Sequence, residues 1–154
     1  MDIIWKIKEF EELSNFELYQ ILQLRINVFM LEQECLYPEC DNKDLKGKHL
    51  MGYLNNQLVA YARLLPPGVS YSDASIGRVV VHPQCRHLKL GNALMSKAIA
   101  QVREDFPNED IRISAQAHLQ GFYERVGFER VSEEYLEDNI PHVEMLFEKE
   151  KGLD

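Results

Sequence analysis

The chain has 154 residues, 45% of them hydrophobic and 27% charged, which is typical of one globular domain with its own core; we expect a single domain over residues 1–154. The 17 basic and 25 acidic residues give a formal net charge of −8, and so acidic a protein lacks the basic face that non-specific nucleic-acid binding requires. No apolar run approaches the roughly 20 residues that span a bilayer, and the N-terminus lacks the layout of a signal peptide, so we expect a soluble cytoplasmic protein with neither a nucleic-acid nor a membrane partner.

The first part of the chain predicts a strand followed by a long helix. The stretch DIIWKIK predicts a short strand. Ser14 and Glu17 have the spacing of a capping box, and a helix should run from Asn15 to about Leu31. Its apolar residues cover most of its circumference, so we expect a largely buried helix. Arg25 and Glu32 are the charged residues in its second half, and a charge on such a helix requires either a partner or a functional role. A polar loop follows.

Three cysteines and one histidine are the residues that could bind a metal in this part of the sequence. Cys35, Cys40 and Cys85 are an odd number without a secretion signal, which indicates free thiols. The spacing of Cys35 and Cys40, with His49 as the nearest further candidate, does not match a zinc site. We therefore expect no metal.

The middle of the chain alternates strands and helices. Asn55 and Asn56 separate two apolar runs and predict a β-hairpin. The stretch ASIGRVVVH predicts a strand whose consecutive valines indicate burial on both faces. A helix is expected from Gly91 to about Glu104. A strand over IRISAQA and a short helix that ends at Gly127 should follow.

The C-terminal part completes the sheet. A strand should begin at Phe128, an acidic loop should follow it, and the alternating stretch VEMLFEKE predicts the last strand. The predicted order is β-α-β-β-β-α-β-α-β-β. The two late helical crossovers suggest neighbouring parallel strands, whereas the hairpins suggest antiparallel ones. We therefore expect an α/β (α+β) fold: a mixed sheet of about six to seven strands with helices on both faces.

The segment RVVVHPQCRHLKLGNAL, residues 78–94, joins a predicted strand to a predicted helix. The first N–H groups of a helix are unpaired, and the helix dipole adds positive charge there. Gly91 lets an anion approach the backbone, and Arg86, Lys89 and His87 add potential cations. Such cations are unfavourable at this end of a helix. Their clustering favours a pyrophosphate ligand; a solvated basic loop is the alternative.

Two motifs in this half of the chain resemble a known family. RHLKLG resembles the Arg/Gln-x-x-Gly-x-Gly/Ala loop of the GNAT superfamily of N-acetyltransferases, with Lys89 at the first glycine position. GFYERVGF resembles the superfamily's Tyr-x-x-x-Gly-Phe element. The chain is similar to the ElaA subfamily from about Leu22 to Met145, through these motifs and the segments QLRINVFMLEQECLYPECDNKD, VAYARLL, IGRVVV, LMSKAI and DNIPHVEM.

The resemblance implies a mostly antiparallel, twisted sheet with a central splay between two parallel strands, GRVVV and IRISAQA, where acetyl-CoA binds. Backbone groups of the first strand would bond the pantetheine arm, and N–H groups of the basic loop would hold the pyrophosphate. Whether Lys89 contacts phosphate stays open. The implied cofactor-binding residues are Val79, Val80, Val81, Arg86, His87, Leu88, Lys89, Leu90, Gly91, Asn92, Ala93, Gln116 and Phe122.

The resemblance also implies direct transfer of an acetyl group from acetyl-CoA to an amine, without a covalent enzyme intermediate. Tyr123 matches the family tyrosine that would protonate the leaving thiolate; packing in the core is the alternative. Glu32 is the best carboxylate to accept the proton of the amine or to bind a cationic amine; solvation at the helix end is the alternative. Gln33, His118 and His142 are the candidate substrate-binding residues. Either histidine could also accept the proton; a structural role is the alternative.

The sequence leaves more than one alternative for the acceptor and for the class of function. Glu133, Glu134, Glu137 and Asp138 form an acidic stretch that either recruits a cationic acceptor or is a solvated face. We expect a small-molecule or peptide amine, and a homodimer is possible because such dimers are common in the superfamily. A non-catalytic module that binds CoA or acetyl-CoA is one alternative. A doubly wound mononucleotide-binding protein is another, and it requires a largely parallel sheet.

Overall fold

The computed structural model describes residues 2–150; the ends of the predicted domain, residue 1 and residues 151–154, lie outside the described residues. The α-helices are α1 (Asn15–Arg25), α2 (Leu90–Asp105) and α3 (Gln120–Arg125). The strands are β1 (Ile4–Glu9), β2 (Lys48–Leu54), β3 (Gln57–Leu65), β4 (Ala74–Val81), β5 (Ile111–Gln116), β6 (Glu129–Arg130), β7 (Tyr135–Glu137) and β8 (Ile140–Phe147).

The strands form one 8-stranded sheet in the order β1-β2-β3-β4-β5-β8-β6, and β7 pairs with β8 outside this path. Strands β4 and β5 are parallel, and the other paired strands are antiparallel. The expected mixed, mostly antiparallel sheet is therefore confirmed. A doubly wound nucleotide-binding fold, which needs a largely parallel sheet, is excluded.

Helices cover both faces of the sheet because its central strands are apolar on both sides. In β2, Leu50 packs in a cluster with α2, whereas the next residue, Met51, packs in a cluster with α1. Successive strand residues point to opposite faces. The valines of β4 are divided in the same way: Val80 lies in the α1 cluster, and Val79 and Val81 pack against the α2 cluster.

Local sequence signals begin and end several elements as predicted. The Ser14 hydroxyl accepts from the Glu17 N–H at 3.0 Å, and the Glu17 carboxylate accepts from the Ser14 N–H at 2.9 Å, so the capping box starts α1. Asn55 and Asn56 have φ of +50° and +66° in the turn between β2 and β3. Gly127, with φ of +111°, follows α3.

The first helix differs from the prediction in its last turns and in its burial. α-Helical geometry ends at Arg25, and Ile26–Glu32 continues as a π-helix, although we expected an α-helix to about Leu31. Phe16 and Tyr19 are 66% and 67% exposed. The helix therefore buries one face against the sheet, because the described part of the chain places no further layer over its outer side.

The C-terminal part differs from the prediction in two places. Strand β8 lies between β5 and β6, so the second helical crossover does not join neighbouring parallel strands. The reason is that β8 pairs with β5 over six residues, whereas β6 has only two. The expected acidic loop contains β7, which forms a hairpin with β8 around Asp138 and Asn139, at φ of +50° and +64°.

Arg25 has the partners that its position requires. The side chain is fully buried, and it donates to Glu39 Oε1 at 2.5 Å and to Asp44 Oδ1 at 2.7 Å. Both acceptors belong to the polar loop between the π-helix and β2. A buried cation is stable only when it is paired and hydrogen-bonded, so Arg25 fixes this loop against α1.

The same loop binds two arginines of the sheet. Arg63 of β3 donates to Asp41 at 2.9 Å and to Asp44 at 3.0 Å. Arg78 of β4 donates to Glu39 at 3.0 Å and to Asp41 at 3.3 Å. Three guanidinium groups and three carboxylates are thus brought together. We call this set the ion cluster; its members are Arg25, Arg63, Arg78, Glu39, Asp41 and Asp44.

The pKa values of the aspartates reflect this pairing. Burial by itself would raise the pKa of Asp44, but hydrogen bonds and charges from Arg25 and Arg63 hold that pKa below its usual value. Burial would also raise the pKa of Asp41, but Arg63 and Arg78 have the larger combined effect and lower it. Both carboxyl groups therefore contribute stability above their unfolded pKa of about 3.9, and this contribution is lost as the pH falls through the lower folded values.

Replacing Arg25 should destabilise the fold more than replacing an exposed arginine does. Arg25→Met leaves Glu39 and Asp44 without that buried cation, and we expect a loss of about 3–5 kcal/mol in the free energy of unfolding. Urea unfolding followed by circular dichroism measures it. Arg125→Met, at an exposed position of α3, is the control and should change little. Equal effects of the two substitutions would contradict a supporting role for the ion cluster.

Candidate active site

The predicted splay is present between β4 and β5. Their paired residues are Ala74 with Ile111 and Ser75 with Arg112. Beyond Ser75 the two strands diverge, while β4 stays paired with β3 as far as Val81. The second half of β4 therefore has one backbone edge without a partner strand, and this edge faces a cleft.

A bulge in β4 accompanies the splay. Tyr61 of β3 pairs with Val80, but Arg63 pairs with Gly77, so β4 has an extra residue at this point. Arg78 lies in the bulge with φ of +53°, a left-handed conformation that is costly for a residue with a side chain. Its guanidinium is held by the carboxylates of the ion cluster, which stabilise the bulge.

The cleft beside β4 has a volume of about 630 Å³ and brings together many of the predicted site residues. It is lined by residues from β4, the basic loop, α3 and the π-helix; we call it the large cleft. The predicted residues that line it are Glu32, Gln33, Val79, Val80, Val81, Arg86, Gly91, Gln116, His118, Phe122 and Tyr123.

The basic loop, which contains Arg86, His87 and Lys89, leads into α2 through a residue in the left-handed backbone conformation. Pro83–Leu88 forms a 3₁₀ turn, Lys89 has φ of +57° and ψ of +37°, and α2 starts at Leu90 without a side-chain cap. Lys89 thus keeps a conformation suited to the glycine of the family motif. A Cβ at Gly91 would lie 3.2 Å from the Phe122 ring, so glycine permits this close packing.

The other predicted residues of this loop are not part of the cleft lining. Three of them lie in the first turn of α2, where a helix start without a side-chain cap leaves backbone N–H groups unpaired for an anion, whereas the other three precede the helix. The residues concerned are His87, Leu88, Lys89, Leu90, Asn92 and Ala93.

Two predicted residues pair with each other at the mouth of the large cleft. Arg86 donates to both carboxylate oxygens of Glu32, at 2.6 Å and 3.1 Å. Both side chains are roughly half exposed, so the pair is weak and exchangeable. In this arrangement both carboxylate oxygens of Glu32 hold the guanidinium of Arg86, and the role of Glu32 as base stays a prediction.

Tyr123 lies at the inner end of the large cleft. The residue is 8% exposed, and its ring packs edge-on against Phe122 and Phe128. Its hydroxyl makes no hydrogen bond to any residue between 2 and 150. Burial raises the pKa of Tyr123 to about 12, so the phenol stays protonated at neutral pH. The backbone N–H of Phe128 donates to the Tyr123 carbonyl at 3.0 Å, which fixes this turn of α3.

A second cavity of about 120 Å³ adjoins the large cleft, and we call it the small chamber. Gln33, Gln116 and Tyr123 line both spaces, and Gln116 Nε2 donates to Gln33 Oε1 at 3.3 Å. His142 lines the small chamber and not the large cleft, whereas His118 lines only the large cleft. The predicted substrate residues are therefore divided between the two spaces.

Polar residues that sequence reasoning did not assign complete the small chamber. Ser114 of β5 donates to Glu137 Oε1 at 3.0 Å, and Tyr37 and Arg78 also line the space. Glu137 belongs to the acidic stretch that we considered for recruiting an acceptor. The alternation of Tyr135 and Glu137 around Leu136, followed by Asp-Asn, is the signal that could have indicated a hairpin here.

The described residues contain no group of three or more His, Cys, Asp or Glu side chains that could hold a metal ion. Both ring nitrogens of His49 are engaged, Nδ1 with the Tyr61 hydroxyl at 2.6 Å and Nε2 with the Asp44 carbonyl at 2.9 Å. Within residues 2–150, every helix is too short or too polar to traverse a bilayer.

Comparison with known families matches residues 22–149 to the acetyltransferase (GNAT) domain. The chain therefore belongs to the GNAT acetyltransferases, and it is an acyltransferase, as predicted. It is 43% identical to protein ElaA of Escherichia coli strain K12 over 145 residues, which cover 93% of this chain and 95% of ElaA. The resemblance to the ElaA subfamily is confirmed.

Solved structures agree with this assignment. The crystal structure of Escherichia coli ElaA superposes with a TM-score of 0.90 at 42% identity, covering 96% of this chain and 100% of that one. An acyl-CoA N-acyltransferase from Pseudomonas aeruginosa gives 0.88 at 43% identity, with 94% and 99% covered. An aminoglycoside 6′-N-acetyltransferase complexed with coenzyme A shares the fold, with a TM-score of 0.68 at 15% identity over 92% and 95% of the two chains.

The left-handed conformation of Lys89 should be measurable as a difference in stability. Lys89→Gly removes the strain of a Cβ at positive φ, and after the added freedom of the unfolded chain is subtracted we expect a gain of up to about 1 kcal/mol. Lys89→Ala also removes the charge but keeps the Cβ, and it should show no such gain. Thermal unfolding compares the two variants. If both shift the transition equally, the backbone at this position is not strained.

Proposed function

We propose that this protein is an N-acetyltransferase that transfers the acetyl group of acetyl-CoA directly to a primary amine of a small molecule or peptide. One observation carries this proposal: the unpartnered edge of β4 and the side chain of Tyr123 face the same cleft. An extended amide-containing arm laid along that edge would bring its end towards Tyr123. The coenzyme A bound by the aminoglycoside acetyltransferase of the same fold supports this choice of donor.

The donor side of the site consists of backbone groups and one exposed cation. The backbone of Val79–Val81 presents amide and carbonyl groups to the arm, as a neighbouring strand would require. The start of α2 presents N–H groups and the positive end of the helix dipole to the pyrophosphate. Arg86 would add bidentate bonds to phosphate oxygens after exchanging its partner Glu32.

Tyr123 would donate a proton to the thiolate of CoA as it leaves. Acetyl-CoA supplies an activated acetyl group as a thioester. The buried, protonated hydroxyl of Tyr123 has no partner in residues 2–150, so it is available to donate to sulfur as the C–S bond breaks. Because the described part of the chain makes no hydrogen bond to this hydroxyl, its role can be tested with little disturbance of the fold.

Acetyl-CoA should bind with micromolar affinity that depends on Arg86. Removing a bidentate, charge-assisted contact in Arg86→Ala should weaken binding about tenfold or more, as measured by isothermal titration calorimetry. Arg103→Ala, at the opposite end of α2, is the matched control and should leave the affinity unchanged. If the wild-type protein does not bind acetyl-CoA, the proposed function is wrong.

Replacing Tyr123 should lower turnover without changing donor affinity. For Tyr123→Phe we expect kcat to fall about 100-fold, because the thiolate loses its proton donor, while the dissociation constant of acetyl-CoA stays the same. Release of CoA thiol in the presence of an amine measures kcat. Tyr19→Phe, at an exposed position of α1, is the control. Unchanged turnover in Tyr123→Phe would contradict the assignment of the acid.

A further inference from the structure

We propose that the small chamber binds the acceptor as a slender primary ammonium, with Glu137 as the ligand of its charge and His142 as the base that removes its proton. This inference rests on the proposed function and specifies its acceptor. It differs from the expectation that Glu32 is the base. The groups that carry the inference are the His142 ring, the Glu137 carboxylate and the side chains that hold both in place.

The first step concerns the protonation of His142. Its Nδ1 lies 2.7 Å from the carbonyl oxygen of Ile140. A carbonyl oxygen can only accept a hydrogen bond, so Nδ1 carries the hydrogen. In the neutral ring, Nε2 therefore has a free lone pair. This nitrogen is 3.5 Å from Glu137 Oε2, which is also an acceptor.

Two acceptors at this distance are suited to one shared donor. A carboxylate and a neutral imidazole nitrogen do not stabilise each other, but a group with several N–H bonds between them can donate to both. A primary ammonium has three such bonds. Its positive charge is attracted by Glu137, and its proton can pass to His142, which then forms an imidazolium ion beside the same carboxylate.

Neighbouring strands hold the pair rigidly. In the register of the hairpin, Tyr135 is opposite His142, and Glu137 is opposite Ile140, so all four side chains lie on one face. The Tyr135 ring stacks on His142 with centroids 6.2 Å apart. Ser114 of β5 bonds Tyr135 at 2.5 Å and Glu137 at 3.0 Å. The base and the charge ligand are thus fixed by three strands.

The size and charge of the chamber limit the acceptor. A volume of about 120 Å³, much smaller than that of the large cleft, and a lining that includes Glu137 and His142 suit an ammonium on a short, unbranched alkyl chain. Arg78 also lines the chamber, but its charge is offset by Glu39 and Asp41. The titratable groups facing this space are Cys35, Tyr37, Arg78, Tyr123, Glu137, Asp138 and His142.

The chamber adjoins the large cleft through Tyr123, so the acceptor nitrogen would face the thioester. The ammonium first gives one proton to His142 Nε2. The freed lone pair forms the C–N bond while the C–S bond breaks and its electron pair moves to sulfur. Tyr123 protonates the sulfur and regains a proton from the acetylated nitrogen. His142 releases its proton to solvent, so the products are an amide, CoA thiol and one proton.

A matched pair of amines tests the base. Ethylamine is an ammonium at neutral pH, whereas 2,2,2-trifluoroethylamine has nearly the same shape and is mostly uncharged. The variant is His142→Asn, whose amide N–H can still donate to the Ile140 carbonyl but which lacks Nε2. We expect kcat/KM for ethylamine to fall about 100-fold and that for trifluoroethylamine to fall far less. Equal losses for both amines would overturn the role of His142 as base.

A second variant tests the charge ligand and does not depend on the buried ring. Glu137→Gln keeps a partner for Ser114 but removes the negative charge, and KM for ethylamine should rise about tenfold with little change for trifluoroethylamine. Glu148→Gln, an exposed carboxylate outside the chamber, is the control for net charge. An unchanged KM in Glu137→Gln would overturn the proposed recognition.

The wild-type protein separates failure of this inference from failure of the proposed function. If it binds acetyl-CoA and acetylates other amines but not ethylamine, the acceptor class is wrong and the proposed function stands. If it neither binds acetyl-CoA nor acetylates any amine, both are overturned. Acetylation of ethylamine in preference to trifluoroethylamine, lost in both variants, is the result that we expect.

Discussion

Three arginines from α1, β3 and β4 meet three carboxylates of one loop inside the protein, and the shape of the site depends on this charge pairing. An unpaired buried charge would be costly, so the loop must stay against the helix and the sheet. Arg78 connects the pairing to the site. It occupies the bulge of β4 in a left-handed conformation, and its bonds to Glu39 and Asp41 hold it there. The bulge lies in the part of β4 that has already diverged from β5 beyond Ser75, and the cleft lies beside this part of the strand.

The two spaces of the site differ in how they are built. The large cleft offers backbone groups of β4 and of the start of α2, which suits a donor whose arm and phosphates are recognised by amides. The small chamber offers side chains from four strands, β4, β5, β7 and β8, which suits selection among acceptors by charge and size. Tyr123 and Gln116 line both, so a reaction between molecules in the two spaces would occur beside them.

Features encoded by neighbouring residues could be predicted. The capping box, the Asn-Asn turn and the end of α3 each depend on a few consecutive residues, and the loop around Gly91 was identified by the spacing of its motif. Features that depend on pairs of residues far apart in the sequence could not be predicted. The partners of Arg78 lie 39 and 37 residues away, and Arg86 pairs with Glu32 across 54 residues. Charge composition alone indicated a solvated acidic loop where β7 forms, because the Asp-Asn turn resembles ordinary loop sequence.

The hairpin of β7 and β8 has a consequence for how acceptor specificity could be altered by substitution. Tyr135, Glu137, Ile140 and His142 all come from one short stretch of chain around a two-residue turn, while the donor side comes from β4 and α2. Under the proposed acceptor site, a few substitutions in this stretch would alter which amine is accepted and leave the donor machinery intact. The residues proposed for the two substrates therefore lie in separate parts of the chain, so acceptor specificity and donor binding can be changed independently by substitution.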